Sequence, residues 1–452
     1  MRRKKARGFH LLALCGCFFL LAEGAAFGGE GVDPNASFHP AESAPAPAAM
    51  PKPAAASPSE RTRRAPAPQR SAPIQRALFP APGETRFRAA EIVAEFSART
   101  PAAAIDALRR RHRLDEIETA RIALIGAEAH IWRAADGRST GAILRELGGE
   151  AQIVAAQPNY VYALAADDAA KPAAPAQYAL GKLKIDAARR LASGDGVLVA
   201  MVDTAVDDSH PDLKDAVAAK TDTIGGALWT LDHGTSTAGA IAARGATEGA
   251  APKARLLVAR AFEASPAGPQ GTTLSIAKGV DWAVAAQAKI VNMSFAGPPD
   301  PELQRVVAAA AAKGVLLVAA AGNAGPKSPP LYPAADSGVL AVTAIDADDK
   351  LFENANRGKY IALAAPGVDV LLPAPDGGYD LKSGTSVAAA FVSGVAALLA
   401  ERNPGLKADA AKRTLVSTAR PLAPAGHEAE FGAGLVDALQ ALGGDKPPAK
   451  TQ

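Results

Sequence analysis

The sequence predicts an α/β protein: a three-layer domain built on a parallel sheet, preceded by a smaller α/β module. Three features of the 452-residue chain carry that prediction. From Val197 onward, continuous apolar runs alternate with helix-like segments, the pattern of a parallel sheet covered on both faces. Between Glu91 and Leu164 a shorter series of strand and helix signals has its own beginning and end. Stretches rich in Ala and Pro set these two regions apart from the N-terminus and from each other.

The chain opens with Met1-Arg2-Arg3-Lys4-Lys5-Ala6-Arg7, runs apolar from Leu11 to Ala22 and reaches small residues around Gly24 and Ala26. That is the order of a signal peptide, assigned to residues 1–26. The apolar run is much shorter than the roughly 20 residues that span a bilayer, so a membrane anchor is disfavoured and no span is expected in the mature protein. A lipid anchor at Cys17 fits poorly, because the run continues past it to Leu21. The expected location is therefore exported, periplasmic or secreted. Cys15 and Cys17, the only cysteines, lie inside the signal. Their loss on cleavage excludes thiol catalysis, cysteine zinc sites and intrachain disulfides. The net charge of +3 is spread along the chain without a basic stripe, which argues against nucleic acid as a partner.

Residues 27–85, with repeats such as Ala44-Pro45-Ala46-Pro47, are too poor in apolar surface to fold and are expected to form a disordered linker. The module follows at 86–165. Glu91 to Phe96 reads as a strand, and Pro101 to Leu114 as a helix with Thr100 as N-cap. Ile122 to Trp132 is strand-like, Thr140 to Leu147 is a helix ended by Gly148-Gly149, and Ala151 to Leu164 is a last strand. The order is β-α-β-α-β, with the long middle segment open to division into a hairpin. A second linker, 166–176, contains Pro172 and Pro175. Beyond it, strands are expected at Val197–Val202, Arg255–Ala259, Ile290–Met293, Val315–Ala320 and Val339–Val342, within a domain of residues 177–442. A disordered tail is expected at 443–452.

In such sheets ligands bind outside the carboxyl ends of the strands, and the chemically suggestive residues follow the apolar runs. Asp203 ends the first run in Val202-Asp203-Thr204-Ala205. His233 stands in Asp232-His233-Gly234-Thr235, before a helix read from Ser236 to Ala243. Ser386 stands in Ser383-Gly384-Thr385-Ser386-Val387-Ala388, ahead of a helix running to Leu399. Each alone has a plain structural reading, as a turn aspartate, a helix-start histidine or a capping serine.

Together these segments resemble the three signatures of the subtilisin-like (S8) serine peptidases, Asp-Thr-Gly, His-Gly-Thr and Gly-Thr-Ser-x-Ala, in that order along the chain. The resemblance runs from Gln177 to Leu442. It implies a serine endopeptidase with Asp203, His233 and Ser386 as catalytic triad and polypeptides as substrates. It also implies that Asn323, in Ala321-Gly322-Asn323-Ala324-Gly325, donates to the oxyanion. The strand Ser294-Phe295-Ala296-Gly297 would then bind substrate backbone, with Phe295 and Ala296 beside a P1 pocket suited to small or apolar residues. No cofactor and no metal are expected: the loop Arg244 to Ala251 lacks the insertion that carries the tight calcium site of secreted relatives.

The upstream module resembles the inhibitory propeptides of this family, its Ala156-Gln157-Pro158-Asn159-Tyr160-Val161-Tyr162 matching the strand that leads to the processing site. Self-cleavage is then expected near Leu164 or Ala165, and the module is the enzyme's own partner. Two departures stand beside the catalytic residues, Ala205 for glycine and Ala390 for proline. They keep open the alternative of a weakly active or inactive binding protein of the same fold. An α/β-hydrolase is contradicted, because it requires Gly-x-Ser-x-Gly and here Ala388 takes the second glycine's place.

Overall fold

The structure, a computed structural model, describes residues 77–165, 167–168, 177–226 and 229–444. The expected signal peptide, nearly all of both linkers and the tail beyond residue 444 lie outside these residues.

The module folds as β-α-β-β-α-β: strand Phe87–Ser97, helix Ala102–Arg111, strands Leu114–Ile122 and Ala127–Ala134, helix Thr140–Leu147 and strand Ile153–Leu164. The middle segment does divide into a hairpin, at a short 3₁₀ turn, Ala123–Ile125, closed by Gly126 in the left-handed region. In the antiparallel sheet the first strand lies between the last strand and the third, with the second outermost. Successive side chains in a strand point to opposite faces. Ile92, Ala94 and Phe96 accordingly pack with Ile105, Leu108, Trp132, Ile143 and Leu147 under the helices. Val93, Ile131, Tyr160 and Tyr162 face the other way and join the core of the larger domain. Thr100 is not the helix cap. Pro101, extended at φ −63° and ψ 134°, holds that position, and no side chain caps the helix start.

The larger sheet has seven parallel strands, in the order Ile361–Pro366, Val339–Ile345, Leu316–Ala320, Ile290–Met293, Leu198–Asp203, Arg255–Arg260 and Val217–Asp222. Its interior strands are buried along their length. Helices Asp232–Ala242 and Thr385–Arg402 cover one face, packed into one apolar cluster with Val199, Met201, Val318 and Leu340. Helices Thr273–Ala285 and Pro301–Ala312 cover the other, with Ala200, Val202, Val291 and Leu317. Among the described residues Thr385–Arg402 is the one helix long and apolar enough to cross a membrane, but 83% of its apolar window is buried inside the domain. It is the core helix that places a serine at the sheet's carboxyl edge.

Among the features that escaped the sequence reading are the edge strand Val217–Asp222, the strand Ile361–Pro366, and a hairpin of Val370–Ala374 and Gly378–Ser383 that runs directly into the serine. The short loop after helix Asp232–Ala242 closes around the buried Asp212. Its Oδ1 accepts from Ala246 N–H (2.8 Å) and the Tyr379 hydroxyl (3.0 Å), and its Oδ2 from Thr247 N–H (2.7 Å) and hydroxyl (2.6 Å). Burial works to raise this carboxyl, yet the donors outweigh it and hold the group below its ordinary value. Through Tyr379 the same aspartate ties the hairpin before Ser386 to the loop after Asp203.

Candidate active site

Parallel strands present their C-terminal residues at one edge, and Asp203 occupies that place on strand Leu198–Asp203. It is fully buried; its Oδ1 accepts from Thr204 N–H at 2.6 Å and meets His233 Nδ1 at 2.7 Å. His233 lies inside the first turn of helix Asp232–Ala242, earlier than the sequence suggested for that helix. Two threonines fasten the segments together. Thr204 Oγ1 accepts from Gly234 N–H at 2.8 Å, and Thr235 Oγ1 accepts from Asp207 N–H at 2.9 Å. His233 Nε2 and Ser386 Oγ are both buried without a hydrogen-bond partner. The ring is thus held at one nitrogen and open at the other.

Ser386 belongs to the first turn of helix Thr385–Arg402, so it is not the cap. That position is taken by Gly384 at φ +145°, a conformation that L side chains avoid. The hydroxyl is thereby carried on a rigid, buried helix start. Asn323 follows strand Leu316–Ala320, and its Oδ1 accepts from both Thr385 N–H (3.2 Å) and the Thr385 hydroxyl (2.8 Å). This orientation leaves Nδ2 as the outward donor, buried and without a partner. A second chain of bonds braces the serine from below. Ser393 donates to Asn292 Oδ1 (2.9 Å), Asn292 Nδ2 donates to Ser294 Oγ (2.8 Å), and Ser294 donates to the Ser386 carbonyl (3.1 Å). Sequence reasoning missed Asn292, Ser393 and the supporting role of Thr385. Polar residues inside otherwise apolar segments were the available signal.

The module's last strand lies across this site. It pairs antiparallel with Phe295–Ala296 on one side, Leu164 opposite Phe295 and Ala163 opposite Ala296. On the other side it pairs with Gln270–Thr272, a strand the sequence did not reveal. Ala165 N–H donates to the Ser294 carbonyl at 3.2 Å, and the Ala165 carbonyl accepts from Ser386 N–H at 3.1 Å. Beyond it, Asp167 and Asp168 pair with Ser383 and Lys382. The Ala165 carbonyl is therefore held at the Ser386 N–H by a segment whose neighbouring residues are strand-paired before and after it.

All four residues of the expected substrate strand meet this segment. The Phe295 ring stacks edge-on against Tyr162, with centroids 5.8 Å apart. Strand alternation turns the side chain toward the earlier residue. Tyr162 is fully buried there, and Gly297 provides the space, since a Cβ at that position would lie 2.2 Å from the tyrosine ring. A cleft of about 490 Å³ lined by Leu164, His233, Ser236, Lys382 and Val387 continues past the histidine.

The two departures fit without distortion. Ala205 is buried and is not among the residues with positive φ, so the freedom of glycine is not needed there. Ala390 is buried within an uninterrupted helix, where it supplies a backbone N–H that proline lacks.

Comparison with known proteins shows the family. Residues 194–434 match the model of the subtilase family, Peptidase_S8. The major intracellular serine protease of Bacillus subtilis is 39% identical over 227 residues, spanning 46% of this chain and 69% of that protein. Subtilisin DY of Bacillus licheniformis is 34% identical, spanning 54% of this chain and 90% of its own length. Thermitase of Thermoactinomyces vulgaris is 36% identical, spanning 50% and 82%. Among solved structures, fervidolysin from Fervidobacterium pennivorans, a keratinolytic enzyme related to subtilisin, superposes with a TM-score of 0.70 at 25% identity, over 83% of this chain and 64% of that one. With a family match covering most of the parallel-sheet domain and these relatives aligned over 69–90% of their own length, the chain belongs to the subtilase family and is a serine endopeptidase acting on polypeptides.

Proposed function

We propose that the protein is an exported precursor in which Asp203, His233 and Ser386 form the catalytic triad and residues 86–165 are a propeptide that the enzyme removes from itself. The observation that carries this reading is the 3.1 Å hydrogen bond from Ser386 N–H to the Ala165 carbonyl, within a strand paired on both edges. A carbonyl so placed is polarised by the donor that would later face its oxyanion.

The chemistry follows from what each group can do. Ser386 Oγ attacks the Ala165 carbonyl carbon while His233 Nε2 accepts its proton. Asp203, bonded to Nδ1, fixes the tautomer in which Nε2 is the base and stabilises the imidazolium that forms. The oxyanion is met by Ser386 N–H and Asn323 Nδ2. Collapse breaks the bond to the nitrogen of residue 166, which takes the proton from His233. Water, activated by the same histidine, then hydrolyses the acyl-enzyme and frees the serine.

Export rests on the first 26 residues of the sequence. The names of the relatives do not decide it, since one of them is called intracellular. The propeptide reading is supported by the extent of the match to fervidolysin, which exceeds the segment matched by the family model.

Expressed without its signal in a protease-deficient host, the wild-type protein should yield two fragments separated between Ala165 and Ala166, whereas Ser386→Ala should remain one chain. Mass spectrometry reads the new termini. An intact wild type, or the same cut in the mutant, would remove the self-processing assignment.

The seated strand also specifies a substrate. Counting back from Ala165, the fourth residue is Tyr162, wholly buried against Phe295, while Ala165 itself is a small residue. In fluorogenic peptides carrying Tyr-Ala-Leu-Ala before the reporter, exchanging Tyr for Ala should lower kcat/KM by about 10- to 100-fold, the equivalent of about 1.5–3 kcal/mol of lost burial. A change below about twofold would show that this pocket does not select substrate.

A further inference from the structure

The module and the catalytic domain meet across a buried carboxyl pair. Glu95, on strand Phe87–Ser97 of the module, and Glu302, in the first turn of helix Pro301–Ala312, are each 1% exposed. Arg305 lies one turn further along the same helix face and donates to Glu95 Oε1. Glu95 Oε2 and Glu302 Oε1 are buried with no hydrogen-bond partner. Leaving two carboxylate oxygens dry and unpaired is costly, and a proton on either carboxyl relieves both the desolvation and the repulsion.

The surrounding groups sharpen the point. Asp300, the cap of the helix, is well provided: it accepts from Gln157 Nε2 (2.6 Å), Thr273 Oγ1 (2.7 Å) and the backbone N–H groups of Glu302 and Leu303 (3.0 Å each). Burial nevertheless raises Asp300 above its ordinary value in spite of these donors, and it faces Glu302, Glu95 and Asp336, together with the hydroxyls of Tyr160 and Tyr162 from the module's last strand. Glu95 and Glu302 thus share the cation Arg305 while Asp300 adds its repulsion to both. Burial first, then the negative charges of Glu95 and Asp300, push Glu302 well above its ordinary value, and Arg305 offsets this only in part. Burial also raises Glu95 in spite of its pairing with Arg305. Asp336 is pushed up to about 6, again chiefly by burial.

We propose that docking of the module requires a proton held on the Glu95–Glu302 pair, and that its loss with rising pH loosens the module from the catalytic domain. This makes pH a control on inhibition, and in that respect it rests on reading the module as an inhibitory propeptide. When the two surfaces part, both carboxyls reach water and titrate near the ordinary 4.5. The docked state holds its proton to higher pH, so docking takes up a proton. The added stability is complete below about 4.5 and is lost as pH rises through the docked value. Within that window the dissociation constant climbs by up to about tenfold per pH unit for each proton taken up.

The test measures docking without catalysis. Full-length Ser386→Ala protein carrying a site for a sequence-specific protease in place of residues 170–175 is cut at pH 5, and dissociation of the two pieces is followed by dilution at pH 5 and pH 7.5. The dissociation constant should rise at least about tenfold between the two. Glu302→Gln, which removes the charge and keeps the shape, should dock more tightly than the parent at pH 7.5 and lose most of the rise. Glu302→Met serves as a second neutral variant should the glutamine protein fail to fold. A constant that does not change with pH, or an equal rise in the neutral variants, overturns the proposal. Absence of self-processing in the wild type would instead count against the propeptide reading and leave this result standing.

Discussion

Ser386→Ala is expected to abolish labelling by a fluorophosphonate probe and to lower kcat for peptide hydrolysis by on the order of a millionfold, the scale seen when the nucleophile of subtilisin itself is removed. The reason is positional. Ser386 Oγ is held on the first turn of a buried helix, behind a glycine at φ +145° and under the Ser393–Asn292–Ser294 brace. Among the described residues, Asp203 and His233 form the bonded Asp–His pair at this edge of the sheet, so a serine elsewhere would lack this base. The protein should stay folded, because one buried hydroxyl without a hydrogen-bond partner is lost and nothing is left unpaired by its removal. Mass spectrometry of the labelled wild type should place the adduct on Ser386. Labelling that survives unchanged in the mutant would sink the triad assignment.

Asn323→Ala should lower kcat by about 100- to 1,000-fold with little change in KM. Asn323 Nδ2 has no partner in the structure, whereas its Oδ1 is fastened by two donors from Thr385. A donor fixed in advance but unused by the bound carbonyl strengthens its interaction as negative charge develops, which is the condition for an effect on kcat. Thr385→Val supplies an internal control: it removes the 2.8 Å hydroxyl bond that holds the amide and should cost less than loss of the amide itself. Steady-state kinetics on one peptide separates these cases. A change confined to KM would make Asn323 a substrate-binding residue.

The module illustrates where local signals suffice. Thr140–Leu147 has the bounds read from the sequence, because Ser139 caps its start and Gly148 ends it, and both are neighbours in the chain. The middle segment was harder: the hairpin divides at Ala123–Ile125 with only Gly126 to mark it. Val217–Asp222 was invisible for a different reason. As an edge strand with exposed residues it lacks the continuous apolar run of the interior strands, and its pairing with Arg255–Arg260 is a long-range choice.

The same division applies to the site. Sequence alone determined the residue types and their order, Asp203, His233, Asn323 and Ser386, each at the end of a strand or the start of a helix, because those boundaries are written in local pattern and turn chemistry. Only the tertiary structure decided that Thr385 orients Asn323, that Asn292 and Ser393 brace the serine, and that the Ala165 carbonyl meets Ser386 N–H. It alone brought Glu95 against Glu302 and Arg305. Contacts between residues far apart in the chain depend on which faces the sheet buries together, and burial is what turns an ordinary carboxyl or amide into one whose protonation or hydrogen bonding has consequences.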